Sequence, residues 1–87
     1  MQLFWRHPIW IGGRMTERKL DPIDRIIGVN MRRLRLARDM SQTQVGELLP
    51  VTFEQIRKYE KGINAISAAN LARLAVGLKC TMEEFLT

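Results

Sequence analysis

The chain has 87 residues, of which 46% are hydrophobic and 26% charged, and this is the composition of one ordinary globular domain. It contains a single cysteine, Cys80, and a single histidine, His7, which excludes an internal disulfide framework and a four-ligand structural zinc site. The same shortage argues against a Cys–His nucleophile pair, and the six glycines form no phosphate-binding loop motif. We therefore expect neither an enzyme nor a metal or other cofactor.

The formal charge is +5, and the whole excess lies in the first part of the chain. Residues 1–40 hold nine basic and four acidic side chains, whereas residues 41–87 hold five of each. A small basic domain is attracted to polyanions, either nucleic acid or an anionic membrane surface. No stretch approaches the roughly 18 apolar residues of a membrane span, and the single cysteine suits a reducing interior, so we expect a cytoplasmic protein without a membrane partner.

Residues 1–20 are expected to form a flexible extension or arm, and residues 21–87 the folded domain. The first eleven residues are apolar and hold three of the six aromatic side chains, but Arg6, His7 and Pro8 interrupt them. They lack a small-residue cleavage site, which argues against a signal peptide. Two interpretations remain open: an upstream extension without a structural role, Met15 being the ordinary start, or an arm that packs on a partner.

From Asp21 onwards the chain predicts five short helices. Asp21 followed by Pro22 is a helix-start signal, and we expect the first helix to run from Pro22 to Arg38. Its core-facing stripe is predicted from apolar spacing and comprises Ile23, Ile27, Met31, Leu34 and Arg38. Ser41 and Gln44 form a capping box that starts the second helix at Gln42, and Pro50 prevents it from extending further.

The third helix is predicted to begin after Thr52 and to have two different faces. Ile56, Tyr59 and Glu60 share one face, so a carboxylate lies on the apolar side and requires a partner. The opposite face combines an aromatic side chain, a carboxylate and three cations, namely Phe53, Glu54, Arg57, Lys58 and Lys61. This mixture is not typical of a merely solvated surface.

Gly62 can adopt positive φ and end the third helix, and Ser67 can cap a fourth. The fourth helix has an apolar face made of Leu71, Leu74, Ala75 and Leu78. Thr81 and Glu84 form a second capping box, which predicts a last helical turn whose Met82, Phe85 and Leu86 have a simple interpretation as core.

Two short helices joined by a tight turn, the second exposing mixed polar side chains, have the layout of a helix-turn-helix. The string Ser41–Gly62, SQTQVGELLPVTFEQIRKYEKG, resembles the phage Cro and repressor (XRE) family, and the resemblance extends over about residues 23–86. It implies an all-α, compact five-helix bundle of the phage-repressor DNA-binding type. It also implies a homodimer that binds a palindromic double-stranded DNA operator and regulates transcription, as a repressor.

The resemblance also implies roles for individual residues. Arg35 is expected to form a structural ion pair with Glu60. DNA phosphates are expected at Gln42, Thr52, Gln55, Lys61 and Asn64, and DNA bases at Phe53, Glu54, Arg57 and Lys58. Arg57 or Lys58 could donate to guanine, Glu54 could accept from cytosine N4, and Phe53 could cover a thymine methyl group. Candidates for an exposed apolar dimer interface are Ile63, Ile66, Met82, Phe85 and Leu86.

Several alternatives remain open at the level of sequence. Phe53 could instead be a staple folded back on the core. Pro50 stands where the family often has a glycine in left-handed geometry, so we expect a turn of another shape. The same bundle could also be a protein-interaction module, such as an antitoxin that contacts a toxin or another protein partner.

Overall fold

The computed structural model describes residues 21–87, and the predicted arm at residues 1–20 lies outside the described residues. The described part is helical, without a strand, and contains α1 (Pro22–Ala37), α2 (Gln42–Leu48), α3 (Phe53–Glu60) and α4 (Ala68–Leu78), followed by a 3-10 turn (Met82–Phe85). The all-α class is therefore confirmed. The fifth predicted helix is this single 3-10 turn, so the described residues contain four α-helices.

Each α-helix begins at the cap that the sequence predicts. The Asp21 carboxylate accepts a hydrogen bond from the Ile23 N–H at 2.8 Å, and Pro22 occupies the first turn. At the start of α2, Ser41 and Gln44 bond reciprocally at 3.0 and 2.7 Å. The hydroxyls of Thr52 and Ser67 cap α3 and α4 by accepting from the N–H groups of Gln55 and Asn70, without a reciprocal bond. These bonds satisfy N–H groups that have no partner within the helix, and they fix where each helix starts.

The core lies between α1, α3 and α4 and includes α2 and the 3-10 turn. Its fully buried side chains are Met31, Leu34, Val45, Leu49, Ile56, Leu74, Leu78 and Phe85. The predicted stripe of α1 is correct at its centre, but Ile23 and Arg38 are exposed at its ends. Arg38 lies just beyond α1, and its guanidinium donates to the carbonyl of Leu78 at the end of α4.

The turn between α2 and α3 is tight because the two helices cross at a glycine. A Cβ added to Gly46 would lie 2.6 Å from the Val51 carbonyl oxygen, and the Val51 N–H donates to the Gly46 carbonyl at 2.9 Å. Pro50 has φ 26°, on the positive side where glycine is favoured. The proline ring favours a φ of about −65°, so this conformation is strained, and the expected difference in turn shape stays a prediction.

The C-terminal turn is held on α1 by buried polar contacts. Asn30, which is buried, donates from Nδ2 to the Phe85 carbonyl at 2.9 Å, and its Oδ1 accepts from Arg33 at 3.2 Å. Phe85 itself is fully buried, whereas Met82 and Leu86 point away from the core. The simple core interpretation of this turn therefore applies to Phe85 alone.

Candidate nucleic-acid interface

The two faces of α3 are separated as the sequence predicts. Ile56, Tyr59 and Glu60 are buried, whereas Phe53, Glu54 and Lys61 are exposed. Arg57 and Lys58 lie between these extremes on the outer side. Phe53 is 51% exposed, which contradicts its interpretation as a staple folded into the core. We call the set of Phe53, Glu54, Arg57, Lys58 and Lys61 the outer face of α3.

The position of α3 is fixed at its C-terminal end by a buried carboxylate. Glu60 accepts from Arg35 of α1 at 2.7 Å (Nε to Oε2) and 3.1 Å (Nη2 to Oε1). Arg35 also donates to the Met40 carbonyl at 3.0 Å, just before α2 begins. The structure thus brings together the two residues that the resemblance pairs. A bidentate pair of this kind restricts both distance and orientation between α1 and α3.

Gln42 has a contact that the sequence did not predict. Its side-chain amide donates to Oε1 of Glu60 at 3.1 Å, which ties the first residue of α2 to the last residue of α3. The expected phosphate-binding side chain is therefore engaged inside the protein. The backbone N–H at the start of α2 is one of the groups that a helix leaves without an internal partner. The phosphate contact expected at this position stays a prediction.

Gly28 is a second residue that sequence reasoning missed. A Cβ at this position in α1 would meet the carbonyl of Tyr59 and would lie 2.6 Å from that of Glu60. The absence of a side chain therefore lets α1 approach the end of α3 closely. The available signal was a glycine inside a strongly patterned helix, where it costs about 1 kcal/mol relative to alanine and so indicates a packing reason.

Two residues of the outer face form an ion pair with each other. Arg57 donates to Oε1 of Glu54 from Nη2 at 2.9 Å and from Nε at 3.3 Å. The hydrogen bond from Arg57, together with its charge, lowers the pKa of the Glu54 carboxyl below its usual 4.5. Lys58 and Lys61 lower this pKa further through their charge. Glu54 is therefore ionised at neutral pH, and its charge is balanced by Arg57.

The remaining DNA-contact candidates surround the outer face. Thr52 and Gln55 lie at the start of α3, where the Thr52 hydroxyl accepts from the Gln55 N–H at 3.2 Å. Lys61 and Asn64 lie in the connection after α3, in which the Ile63 N–H donates to the Lys58 carbonyl at 3.0 Å and Gly62 has φ 74°. A hydroxyl and an amide side chain therefore lie at the start of α3, and a cation and an amide follow its end.

Only some of the residues predicted to form an apolar dimer interface are exposed. Ile63, Met82 and Leu86 are 45%, 40% and 53% exposed, respectively. Phe85 is 0% exposed, so its place among the exposed candidates is wrong, because its ring completes the core under the C-terminal turn. Ile66 is half-buried and packs against the core. The exposed part of the expected set is thus Ile63, Met82 and Leu86.

Within residues 21–87, no helix is both long and apolar enough to cross a membrane. Across the same residues, His, Cys, Asp and Glu side chains do not gather in groups of three that could hold a metal ion.

A short helix, a tight turn and a second short helix with a polar outer face define a helix-turn-helix unit of the DNA-binding class. The helix-turn-helix family profile matches residues 31–85. The chain therefore belongs to this family, in its XRE, Cro- and repressor-like form, whose members are DNA-binding transcription regulators rather than a class of enzymes.

Relatives with assigned names agree with this membership. The chain is 42% identical over 64 residues to the uncharacterized HTH-type transcriptional regulator y4wC of Sinorhizobium fredii, a match that covers 74% of the chain and 45% of y4wC. It is 39% identical over 66 residues to the uncharacterized HTH-type transcriptional regulator RC0668 of Rickettsia conorii, covering 76% of the chain and 53% of that relative. The chain thus spans about half the length of the curated relatives it matches.

Solved structures give the same fold. The restriction-modification controller protein C.AhdI from Aeromonas hydrophila superimposes with a TM-score of 0.69 at 25% identity, covering 75% of the chain and 98% of C.AhdI. The clp gene regulator ClgR from C. glutamicum has a TM-score of 0.69 at 19% identity, covering 74% of the chain and 83% of ClgR, and this likeness concerns the fold alone.

Proposed function

We propose that residues 21–87 bind double-stranded DNA with α3 in the major groove, and that two copies bind a palindromic operator and repress transcription. The observation that carries this proposal is the outer face of α3. It exposes an aromatic side chain, a carboxylate and cations on a helix whose other face is buried and anchored through Glu60. Side chains of these types on an anchored helix can read base edges.

We assign the contacts as follows. Phe53, Glu54, Arg57 and Lys58 read bases, because they lie on the outer face of α3. Phosphates are bound around them by the start of α2 at Gln42 and by Thr52, Gln55, Lys61 and Asn64. Contacts to phosphate position the domain, and contacts to base edges give it sequence preference. An excess of basic residues supplies the long-range attraction, and a regulator of this kind acts at the nucleoid in the cytoplasm.

The homodimer is proposed because α3 has only eight residues and can contact few base pairs. A two-fold dimer places two copies of α3 about one helical turn of DNA apart, so a palindromic site is read twice. The exposed apolar residues Ile63, Met82 and Leu86 are the surface proposed to form this dimer.

The test is a selection of genomic fragments by the purified protein, followed by titration of the best site at several salt concentrations. We expect a palindromic site bound at least about a thousandfold more tightly than random duplex. Weak binding to every duplex, with a steep dependence on salt, would contradict the proposal, because it is the behaviour of non-specific attraction. In that case the bundle is better explained as a protein-interaction module, such as an antitoxin, and the search turns to a protein partner.

A further inference from the structure

The ion pair between Glu54 and Arg57 lies on the outer face of α3, where the proposed function requires base-reading side chains. We infer that this pair reads one C·G base pair as a unit, Glu54 accepting from the cytosine N4 amino group while Arg57 donates to the guanine of the same base pair. The inference rests on the proposed function and adds to it the identity of one base pair in the site.

The geometry of the pair leaves suitable groups for the DNA. Both hydrogen bonds from Arg57 end on Oε1 of Glu54, so Oε2 and Nη1 take no part in the pair. The pair therefore presents an acceptor beside donors. On the major-groove edge of a C·G pair, the cytosine amino donor lies beside the guanine O6 and N7 acceptors. The two arrangements are complementary, and the ion pair need not break to make both contacts.

Other base pairs match this arrangement less well. An A·T pair offers an amino donor beside the thymine O4, but the thymine methyl group follows where guanine would offer a second acceptor. One N–H of Arg57 would then face an apolar group and lose its partner. The reversed G·C pair presents the cytosine amino donor and the guanine acceptors in the opposite order across the groove, which does not match the fixed order of Glu54 and Arg57 on α3.

The ion pair also affects the non-specific binding of the protein to DNA. The charges of Glu54 and Arg57 cancel locally, so this part of the face adds little to the attraction for phosphate. Lys58 and Lys61 beside it carry no such partner in the ion pairs of the described residues. Removing the carboxylate would free Arg57 to neutralise a phosphate, which strengthens binding to random duplex and makes it more dependent on salt.

The experiment compares the full chain with Glu54→Gln, Arg57→Gln, the double variant and the matched control Glu83→Gln. Glu83 is an exposed carboxylate on the C-terminal turn, which packs on α1 and α4 rather than on α3. Its substitution changes the net charge by the same amount as Glu54→Gln. Each protein selects sites from a random duplex library and is then titrated with the selected site, with that site carrying T·A in place of the inferred C·G pair, and with random duplex. Melting curves by circular dichroism check that every variant is folded.

We expect the wild-type protein and Glu83→Gln to select one invariant C·G pair in each half-site and to lose about tenfold in affinity when it is replaced. Glu54→Gln should lose most of this discrimination and bind random duplex more tightly, with a salt slope steeper by about one. The double variant should retain at least as much preference for the C·G pair over T·A as the single variant with the weaker preference. The reason is that the two residues act together.

The outcomes separate this inference from the proposed function. A palindromic site that Glu54→Gln selects with the same preference at every position would overturn the inference and leave the proposed function standing. A loss of base preference in the double variant equal to the sum of the two single losses would also overturn the inference. Such additivity indicates that Glu54 and Arg57 read bases independently. If the wild-type protein selects no site, both the proposed function and the inference are wrong.

Discussion

Arg35 and Glu60 are 25 residues apart in the chain and are joined by two side-chain hydrogen bonds, the shorter of which is 2.7 Å. Both residues are buried, and each has a further polar contact, Arg35 with the Met40 carbonyl and Glu60 with the Gln42 amide. One network thus connects α1, the start of α2 and the end of α3. The orientation of the proposed reading helix depends on buried charges that are fully partnered.

We predict that Glu60→Ala lowers the free energy of unfolding by about 3–5 kcal/mol, because it leaves the Arg35 guanidinium buried without its counter-charge. Thermal or urea unfolding followed by circular dichroism measures this change. Glu47→Ala is the matched control, since it removes an exposed carboxylate from α2 and should change stability by less than about 0.5 kcal/mol. Equal effects of the two substitutions would show that the network contributes little to stability.

Gly28→Ala should destabilise the domain although alanine favours helix formation by about 1 kcal/mol. The added Cβ would lie 2.6 Å from the Glu60 carbonyl oxygen, and a backbone atom can move away only if α1 and α3 separate. Gly77→Ala is the control, because the atoms nearest its Cβ belong to the flexible Leu48 side chain. The melting temperature should fall for Gly28→Ala and stay close to that of the wild type for Gly77→Ala. The opposite order would contradict the close approach of α1 to α3.

The sequence predicts local features of this fold better than contacts between helices. Helix starts were predictable because the caps are local: Ser41 and Gln44, for example, bond across three residues. The need for a partner at Glu60 was also predictable, since the helical period places it beside Ile56. The approach of Gly28 to Glu60 was not, because periodicity does not say which helix packs against which face.

The same reason explains the errors at the C-terminal turn. Met82, Phe85 and Leu86 are all apolar and lie within five residues, so hydrophobicity alone does not separate the buried residue from the exposed ones. Long-range contacts, such as the bond from Asn30 to the Phe85 carbonyl across 55 residues, set the rotation of this turn on α1. The exposure of the outer face of α3 was more predictable, because it depends on the period of one helix.

Replacing Arg57 and Lys58 together by alanine should abolish sequence-specific DNA binding while the domain stays folded. Both side chains lie on the outer side of α3, so their removal takes away base contacts and leaves the core intact. Electrophoretic mobility shift with the selected site measures the loss. Arg32→Ala with Arg73→Ala removes the same charge from exposed positions on α1 and α4, and should weaken binding only modestly. A similar loss in both double variants would show that charge alone, rather than α3, drives binding.

Ile63→Asp combined with Leu86→Asp should convert a dimer into a monomer without unfolding it. The two side chains are 45% and 53% exposed, so a charge is tolerated in the isolated domain but disrupts an apolar contact between copies. Sedimentation equilibrium gives the mass, and circular dichroism verifies the fold. Phe85→Ala should behave differently and cost about 3–5 kcal/mol of stability, because its ring is buried in the core. A double aspartate variant that remains dimeric would place the dimer interface elsewhere.

The Glu54 carboxyl should titrate below pH 4.5, because the Arg57 hydrogen bond and charge stabilise its ionised form. A carboxyl whose pKa is lower in the folded than in the unfolded chain stabilises the fold at pH values above its unfolded pKa. This contribution is lost as the pH falls through the folded pKa. Nuclear magnetic resonance of the side-chain carboxyl carbon measures the midpoint. The midpoint should rise towards 4.5 in Arg57→Gln, and an unchanged midpoint would mean that the ion pair does not persist in solution.

The bond between Asn30 and Phe85 has a consequence for the protein during its synthesis. Met31 and Leu34 can associate with α3 once Glu60 has left the ribosome, but the core lacks its largest fully buried side chain until residue 85 has also left it. A nascent chain that carries the complete helix-turn-helix is therefore still incompletely packed. Specific attachment to DNA should begin only after this last turn has been translated and has docked on α1.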